Sequence, residues 1–216
     1  MLNEEGYRIY GELLRSELIT AMGCTEPIAI AYAGALARKV LGREPDKLLL
    51  ACSGNIVKNV KGVTVPNSGG RRGIEIAALL GVCGGDARRR LAVLESVTDD
   101  TRARAVALLE AGICTTSLIE GTDNLVVQVT ARAGVDEAFV EIRGTHTNVT
   151  RMEHNGEDLL RDGGAQEVCA PAPDKKRLNV RDILTYGETV ELDTIRDVLE
   201  NQIQCNRAIS QAGLAG

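Results

Sequence analysis

Three short stretches of this chain bring together residue types that can do chemistry. The first is Gly23-Cys24-Thr25-Glu26-Pro27, which sets a thiol, a hydroxyl and a carboxylate side by side between a helix-stopping glycine and a helix-starting proline. A helix start exposes unpaired N–H groups and partial positive charge. A cysteine placed there is expected to have a lowered pKa, which makes its thiolate available as nucleophile or metal ligand. The same residues also read as an ordinary helix cap, with Thr25 and Glu26 capping and Cys24 packing.

The second stretch is Asn67-Ser68-Gly69-Gly70-Arg71-Arg72-Gly73, just ahead of an apolar helical run. Its glycines let backbone N–H groups approach an anion at a helix start, and the two arginines add charge for a carboxylate. It is neither a Walker loop nor a clean dinucleotide fingerprint, and it also reads as a plain flexible turn. The third stretch is Gly144-Thr145-His146-Thr147-Asn148 at a strand end. Threonine, histidine and asparagine side chains grouped in this way can hold a zwitterion or position a base. A turn histidine with no role is the alternative, and His154, in a Glu-His-Asn-Gly hairpin turn, is given none.

These loops need elements to position them. Apolar residues recur at Tyr7, Tyr10, Leu14, Leu18 and Met22, which predicts a helix over 4–22 ending at Gly23. Pro27–Leu41 is apolar nearly all round and predicts a buried second helix. Leu48–Val57 reads as a strand, and Gly62–Val65 as a short second one. Helices are expected through Ile74–Val82, Arg88–Ser96 and Thr101–Glu110. From Thr115 the period changes: 115–120, 124–133 and 137–143 read as strands, 147–154 as a fourth, together an antiparallel meander. Residues 161–177 read as a linker. A last amphipathic helix starts near Asp193, carries Ile195, Leu199, Ile203 and Ile209 on one face, and stops at Gly213. The expected fold class is α+β, an antiparallel sheet packed against helices in a sandwich-like single domain over 1–216.

Composition narrows the function. The 216 residues are 44% hydrophobic and 25% charged, ordinary for a globular protein, but there is no Trp, one Phe and four Tyr, so the core is expected to be aliphatic. A net charge of −5 without a long basic block, and with so few aromatics, points away from nucleic acid. The longest apolar stretches fall short of the roughly 20 residues that span a bilayer. Without a signal-peptide pattern the expected address is the cytoplasm. Six cysteines there are expected to be reduced thiols, and no two lie close enough in sequence to form a local metal motif.

Ala21–Pro27, Asn59–Gly70 and Gly144–Asn148, taken in order, resemble the L-cysteine desulfidases, relatives of the bacterial iron–sulfur L-serine dehydratases. The resemblance covers nearly the whole chain. It implies an oxygen-sensitive [4Fe–4S] lyase, independent of pyridoxal phosphate, that converts L-cysteine to pyruvate, ammonia and sulfide. It further implies Cys24 as a cluster ligand and Glu26 and His146 as the acid–base groups. Thr25, Asn67, Ser68, Gly69, Gly70, Thr145, Thr147 and Asn148 would then frame the substrate. Members of that family are longer, with a helical C-terminal half that holds the other cluster cysteines. The cluster is therefore expected only with that half, whether as a continuation of the chain or as a partner subunit. An L-serine or L-threonine dehydratase is the alternative enzyme, and a non-catalytic amino-acid-binding or assembly domain is the alternative of another class. The apolar second helix and the last helix are expected to leave a greasy face that drives self-association.

Overall fold

Two helices of opposite character open the chain: α1 (Glu4–Glu17), amphipathic, and α2 (Thr25–Leu41), buried along almost its whole length. The computed structural model describes residues 2–160 and 175–215. It divides into two compact units, Ala21–Val168 and Met1–Thr20 with Cys169–Gly216, where the sequence reading takes one domain over 1–216. Of the expected linker 161–177, residues 161–174 lie outside the described residues, and Lys175–Arg177 form a 3-10 turn.

The Ala21–Val168 unit is α+β. After α2 come β1 (Lys47–Ser53), α3 (Gly54–Gly62), α4 (Ile74–Gly84), a 3-10 segment (Ala87–Ser96) and α5 (Asp99–Glu110). Then follow β2 (Cys114–Ile119), β3 (Val126–Ala133), β4 (Asp136–Arg143), β5 (Val149–His154) and the two-residue β6 (Glu157–Asp158). The strands form one sheet in the order β2-β1-β3-β4-β5-β6. β3 to β5 form the expected antiparallel meander, extended by β6, but β2 is not part of it: it runs parallel to β1, with Leu48 opposite Cys114. The sheet is therefore mixed, because the chain crosses over through α3, α4 and α5 before returning beside β1.

Three further expectations are corrected in this unit. The apolar run from Leu48 ends as a strand at Ser53 and turns helical, since Ile56 and Val60, four apart, both face the core as one helical stripe. Gly62–Val65 contributes only an isolated bridge, Thr64 to Arg72. Ala87–Ser96 is kinked rather than a regular helix, with Arg90 at φ 47°.

Helix α2 packs on β3, β4 and α4, and α4 in turn on α5. The pairing of α2 with α4 depends on two glycines. A Cβ on Gly34 would sit 2.5 Å from the Ala78 carbonyl oxygen, and one on Gly81 would run into the Ala31 carbonyl oxygen. The two backbones thus meet where any side chain would hold them apart. Strand residues alternate between the helix-covered core, such as Val127, Val129, Val140 and Ile142, and a polar opposite face, where Gln128 pairs with Glu141. The helices accordingly pack on the apolar face of the sheet, and the core is aliphatic as expected. Helix α2 is inside it, so the expected exposed face on this helix is absent.

The second unit is helical: α1, α6 (Val180–Thr189) and α7 (Arg196–Ala215). Helix α1 ends at Glu17, where Leu18 leaves helical geometry, rather than near Gly23. Its buried centre is small: Tyr10, Tyr186 and Ile195, with Leu2, Tyr7, Leu14, Val190 and Leu199 packed around them. The rings of Tyr7 and Tyr10 lie 5.8 and 5.5 Å from that of Tyr186. Arg15–Asp197, Lys175–Glu17 and Arg177–Glu5 ion pairs fasten the periphery. Helix α7 runs through Gly213 rather than stopping there. No helix among the described residues is long and apolar enough to cross a membrane.

Candidate functional site

The site is built at the N-terminus of α2. Gly23 precedes it at φ 141°, a conformation that a side chain would strain, and packs beside Pro66. Cys24 is the N-cap residue, Thr25 and Glu26 form the first turn, and Pro27 follows where its missing N–H costs nothing. The carboxylate of Glu26 is the centre of the constellation. Cys24 Sγ donates to its Oε2 at 3.0 Å and Thr25 Oγ1 to the same oxygen at 3.4 Å. Asn59 Nδ2, from α3, donates to Oε1 at 2.9 Å.

Electrostatics follow from that arrangement. The Cys24 hydrogen bond, with help from Asn59 and from the nearby His146, holds Glu26 below the usual carboxylate range against its partial burial. Cys24 moves the other way. Burial, and the Glu26 carboxylate that accepts its proton, push its thiol up. This corrects the expectation of a helix-start thiolate. A macrodipole is worth about half an elementary charge, and a full carboxylate charge within hydrogen-bond reach outweighs it. His146 is half-buried; burial lowers its pKa, and the charge of Glu26 offsets only part of that. At neutral pH the site thus holds a protonated thiol, an ionised carboxylate and a neutral imidazole.

The Pro66–Gly73 loop is a formed structure rather than a flexible turn. Ser68 is buried, its hydroxyl accepting from Arg71 N at 2.8 Å and donating to Arg71 O at 2.9 Å. Asn67, at φ 56°, donates from Nδ2 to Leu94 O, and its own carbonyl accepts from Arg102 Nε. Ser68 and Asn67 therefore use their side chains to shape the loop. Gly69 and Gly70 form its exposed edge. Pro66 lies close enough to Gly23 that a Cβ there would come within 3.5 Å of its ring, so this loop starts beside the Cys24 turn.

The 144–148 turn is closed in the same manner. Arg143 N donates to Asn148 O at 3.0 Å and Asn148 Nδ2 to Arg143 O at 2.8 Å. Asn148 is thus a turn-closing residue, while Thr145 is exposed and Thr147 half-buried beside His146. Behind the turn stands a network that the sequence reading misses. Glu141, buried in β4, accepts from Gln128, Arg143 and Thr150, and Arg143 also reaches Asp123 at 3.0 Å. Asn59 is missed as well. Alternation of acidic and basic residues at 141 and 143 was the available signal for the first, and the Ile56/Val60 helical spacing for the second. Where β1 and β2 end, a cavity of about 310 Å³ opens, lined in part by Ser53, Asn55, Glu120, Asp123 and Asn124.

Among the described residues, no three His, Cys, Asp or Glu side chains converge to hold a metal ion. Cys52, Cys83 and Cys114 do not join Cys24; burial pushes them up to about 12, 11 and 12. Cys169 lies outside the described residues.

No family model matches the chain, and no solved structure does. It is similar to proteins named UPF0597: 44% identical over 208 residues to one from Finegoldia magna, 40% over 212 to one from Lachnoclostridium phytofermentans, and 37% over 214 to one from Treponema denticola. The matches cover 96%, 96% and 99% of this chain and 50% of each relative. The chain therefore spans about half the length of the curated relatives it matches. These names correct the resemblance drawn from the three motifs, since the relatives found over the whole chain are UPF0597 proteins and not L-cysteine desulfidases.

Proposed function

We propose that the Ala21–Val168 unit supplies the acid–base part of a lyase site for a small β-substituted L-amino acid, cysteine or serine. The observation that supports this most is the Glu26 carboxylate held by Cys24, Thr25 and Asn59 with a neutral, half-buried His146 beside it. In this reading His146 takes the α-proton, and Glu26 stabilises the imidazolium that results. The Cα–H electron pair forms the double bond to Cβ as the Cβ–S or Cβ–O bond breaks, so that sulfide or hydroxide leaves. The aminoacrylate tautomerises to an imine and water converts it to pyruvate and ammonia. Gly69, Gly70, Thr145 and Thr147 would take the carboxylate and ammonium groups of such a substrate in this reading.

A four-iron cluster needs about four ligands, and the described residues offer Cys24 alone at this site, so by themselves they do not fit one. A cluster would take Cys24 from this chain and its other ligands from beyond it. The shortage of further cluster ligands around Cys24 among the described residues favours a second reading, a unit that binds the amino acid without turning it over.

A protein of the relatives' full length that carries this chain, assayed anaerobically for keto acid from L-cysteine and L-serine, tests both. The lyase reading expects pyruvate release that falls at least about 100-fold in His146→Gln. No turnover of any small amino acid, with calorimetric binding retained, would leave only the binding reading.

A further inference from the structure

The helical unit exposes a stripe that its own centre covers only in part. Ile195 immediately precedes α7, and at 100° per residue Leu199, Ile203 and Ile209 fall on one side of that helix. The stripe starts buried: Ile195 is 4% exposed and packs with Leu199 against the tyrosines. It then runs out uncovered through Ile203, 62% exposed, and Ile209, 69% exposed. Helix α6 repeats the pattern, with Val180, Ile183 and Leu184 exposed at spacings of three and four. A cavity of about 460 Å³ in the same unit, lined in part by Tyr7, Gly11, Arg15, Tyr186, Val190 and Ile195, offers a place to anchor an inserted side chain.

We propose that these faces of α6 and α7 are the docking surface for the half of a relative-length protein that this chain does not contain. Three observations select that occupant. Among the described residues this unit buries five large apolar side chains, Ile9, Tyr10, Leu13, Tyr186 and Ile195, and only three of them form one cluster, a small core for a unit of this size that invites further burial. Side chains at helical spacing form continuous apolar strips, whereas the single exposed residues of an ordinary surface are scattered. The relatives match nearly all of this chain and have about as much sequence again, which is the material such a surface lacks. The inference is independent of the chemistry at Cys24 and Glu26.

The test co-expresses this chain with the remainder of the Finegoldia magna relative, the half that this chain does not match, and measures the product by light scattering and hydrogen exchange. The expected result is a one-to-one complex in which residues 199–214 gain protection. Ile203→Asp and Leu184→Asp should weaken it at least about 100-fold, with unchanged circular dichroism, while Val135→Asp in the other unit leaves it intact. Absence of a complex would overturn the proposal. So would a complex indifferent to Ile203→Asp and Leu184→Asp, or a homodimer of this chain formed through the same face.

Discussion

The two units solve the burial problem in opposite ways. In Ala21–Val168, α2 and α4 are nearly all apolar and nearly all covered, and Leu118 and Val135 are the large apolar side chains left exposed among the described residues. In the helical unit, α7 has no buried residue at all, and its centre is aromatic where the other is aliphatic. Three of the chain's five aromatic residues, Tyr7, Tyr10 and Tyr186, meet there. A few large rings build a small nucleus cheaply, since each buries much area with few rotatable bonds. They do not build a core that closes around itself. One unit is packed tightly enough to hold a site, and the other is shaped for further packing.

Glycine substitutions break this comparison most sharply. Gly81→Ala should destabilise the Ala21–Val168 unit by about 3 kcal/mol, because its Cβ meets the Ala31 backbone, which cannot move as a side chain would. Gly187→Ala, inside α6 with nothing within 4 Å of the added Cβ, should stabilise its helix by about 0.5–1 kcal/mol. Denaturant melts of both variants check this. Equal effects would mean that the two units do not differ in packing as described.

Next in size is Glu141→Ala, which leaves Gln128, Thr150 and Arg143 facing a vacated carboxylate. The expected loss is about 2 kcal/mol, since Arg143 remains partly solvated and keeps Asp123. Breaking the exposed Arg196–Asp193 pair of the helical unit should leave the melt nearly unchanged by the same measurement, because solvent screens both charges.

Much of this was legible in the residues. The Gly134-Val135-Asp136 turn between alternating runs marks the β3–β4 hairpin, and the glycine–proline bracket around Cys24 places the start of α2. The parallel pairing of β1 with β2 was not legible, because local periodicity says nothing about which strand lies beside one more than 60 residues away. Helix α3 was hidden because Ile56 and Val57 resume the apolar run of β1 after only Ser53, Gly54 and Asn55, a break short enough to read as part of one strand. At the site, the sequence identified the groups but not their protonation. The helix start at Cys24 is visible in the sequence, whereas the carboxylate that reverses its effect depends on which way Glu26 turns.

Thiol reactivity sharpens the contrast at a smaller scale. Glu26→Gln removes the negative charge that holds the Cys24 proton, so Cys24 should alkylate with iodoacetamide several-fold faster, roughly tenfold per unit of pKa while the thiolate is scarce. Cys205 on α7, whose thiol contacts Asn201 rather than a carboxylate, provides the reference and should not change. Cys52 and Cys114 should stay slow in both proteins. Peptide mapping by mass spectrometry reads all four, and an unchanged Cys24 rate would detach the thiol from Glu26.

The smallest expected effect is a pH dependence confined to one unit. Both histidines of the chain, His146 and His154, lie in Ala21–Val168, so imidazole titration reports on that unit alone. Burial lowers the pKa of His146 from its ordinary 6.5, so the unfolded chain binds a proton more readily than the folded one. Stability from this group is then complete above about pH 6.5 and declines as pH falls through the folded pKa. Glu26, also lowered, adds a loss of the same sign at lower pH, beginning below its ordinary 4.5. The two groups oppose each other in one respect, because the Glu26 charge pulls the His146 pKa upward. Glu26→Gln should therefore depress His146 further, moving its NMR titration midpoint to lower pH. His146→Gln should flatten the stability curve just below pH 6.5 and leave the Glu26 limb at lower pH. If Glu26→Gln instead raised the His146 midpoint or left it unmoved, the imidazole and the carboxylate would not share a site, and the proposed proton transfer would lose its partner.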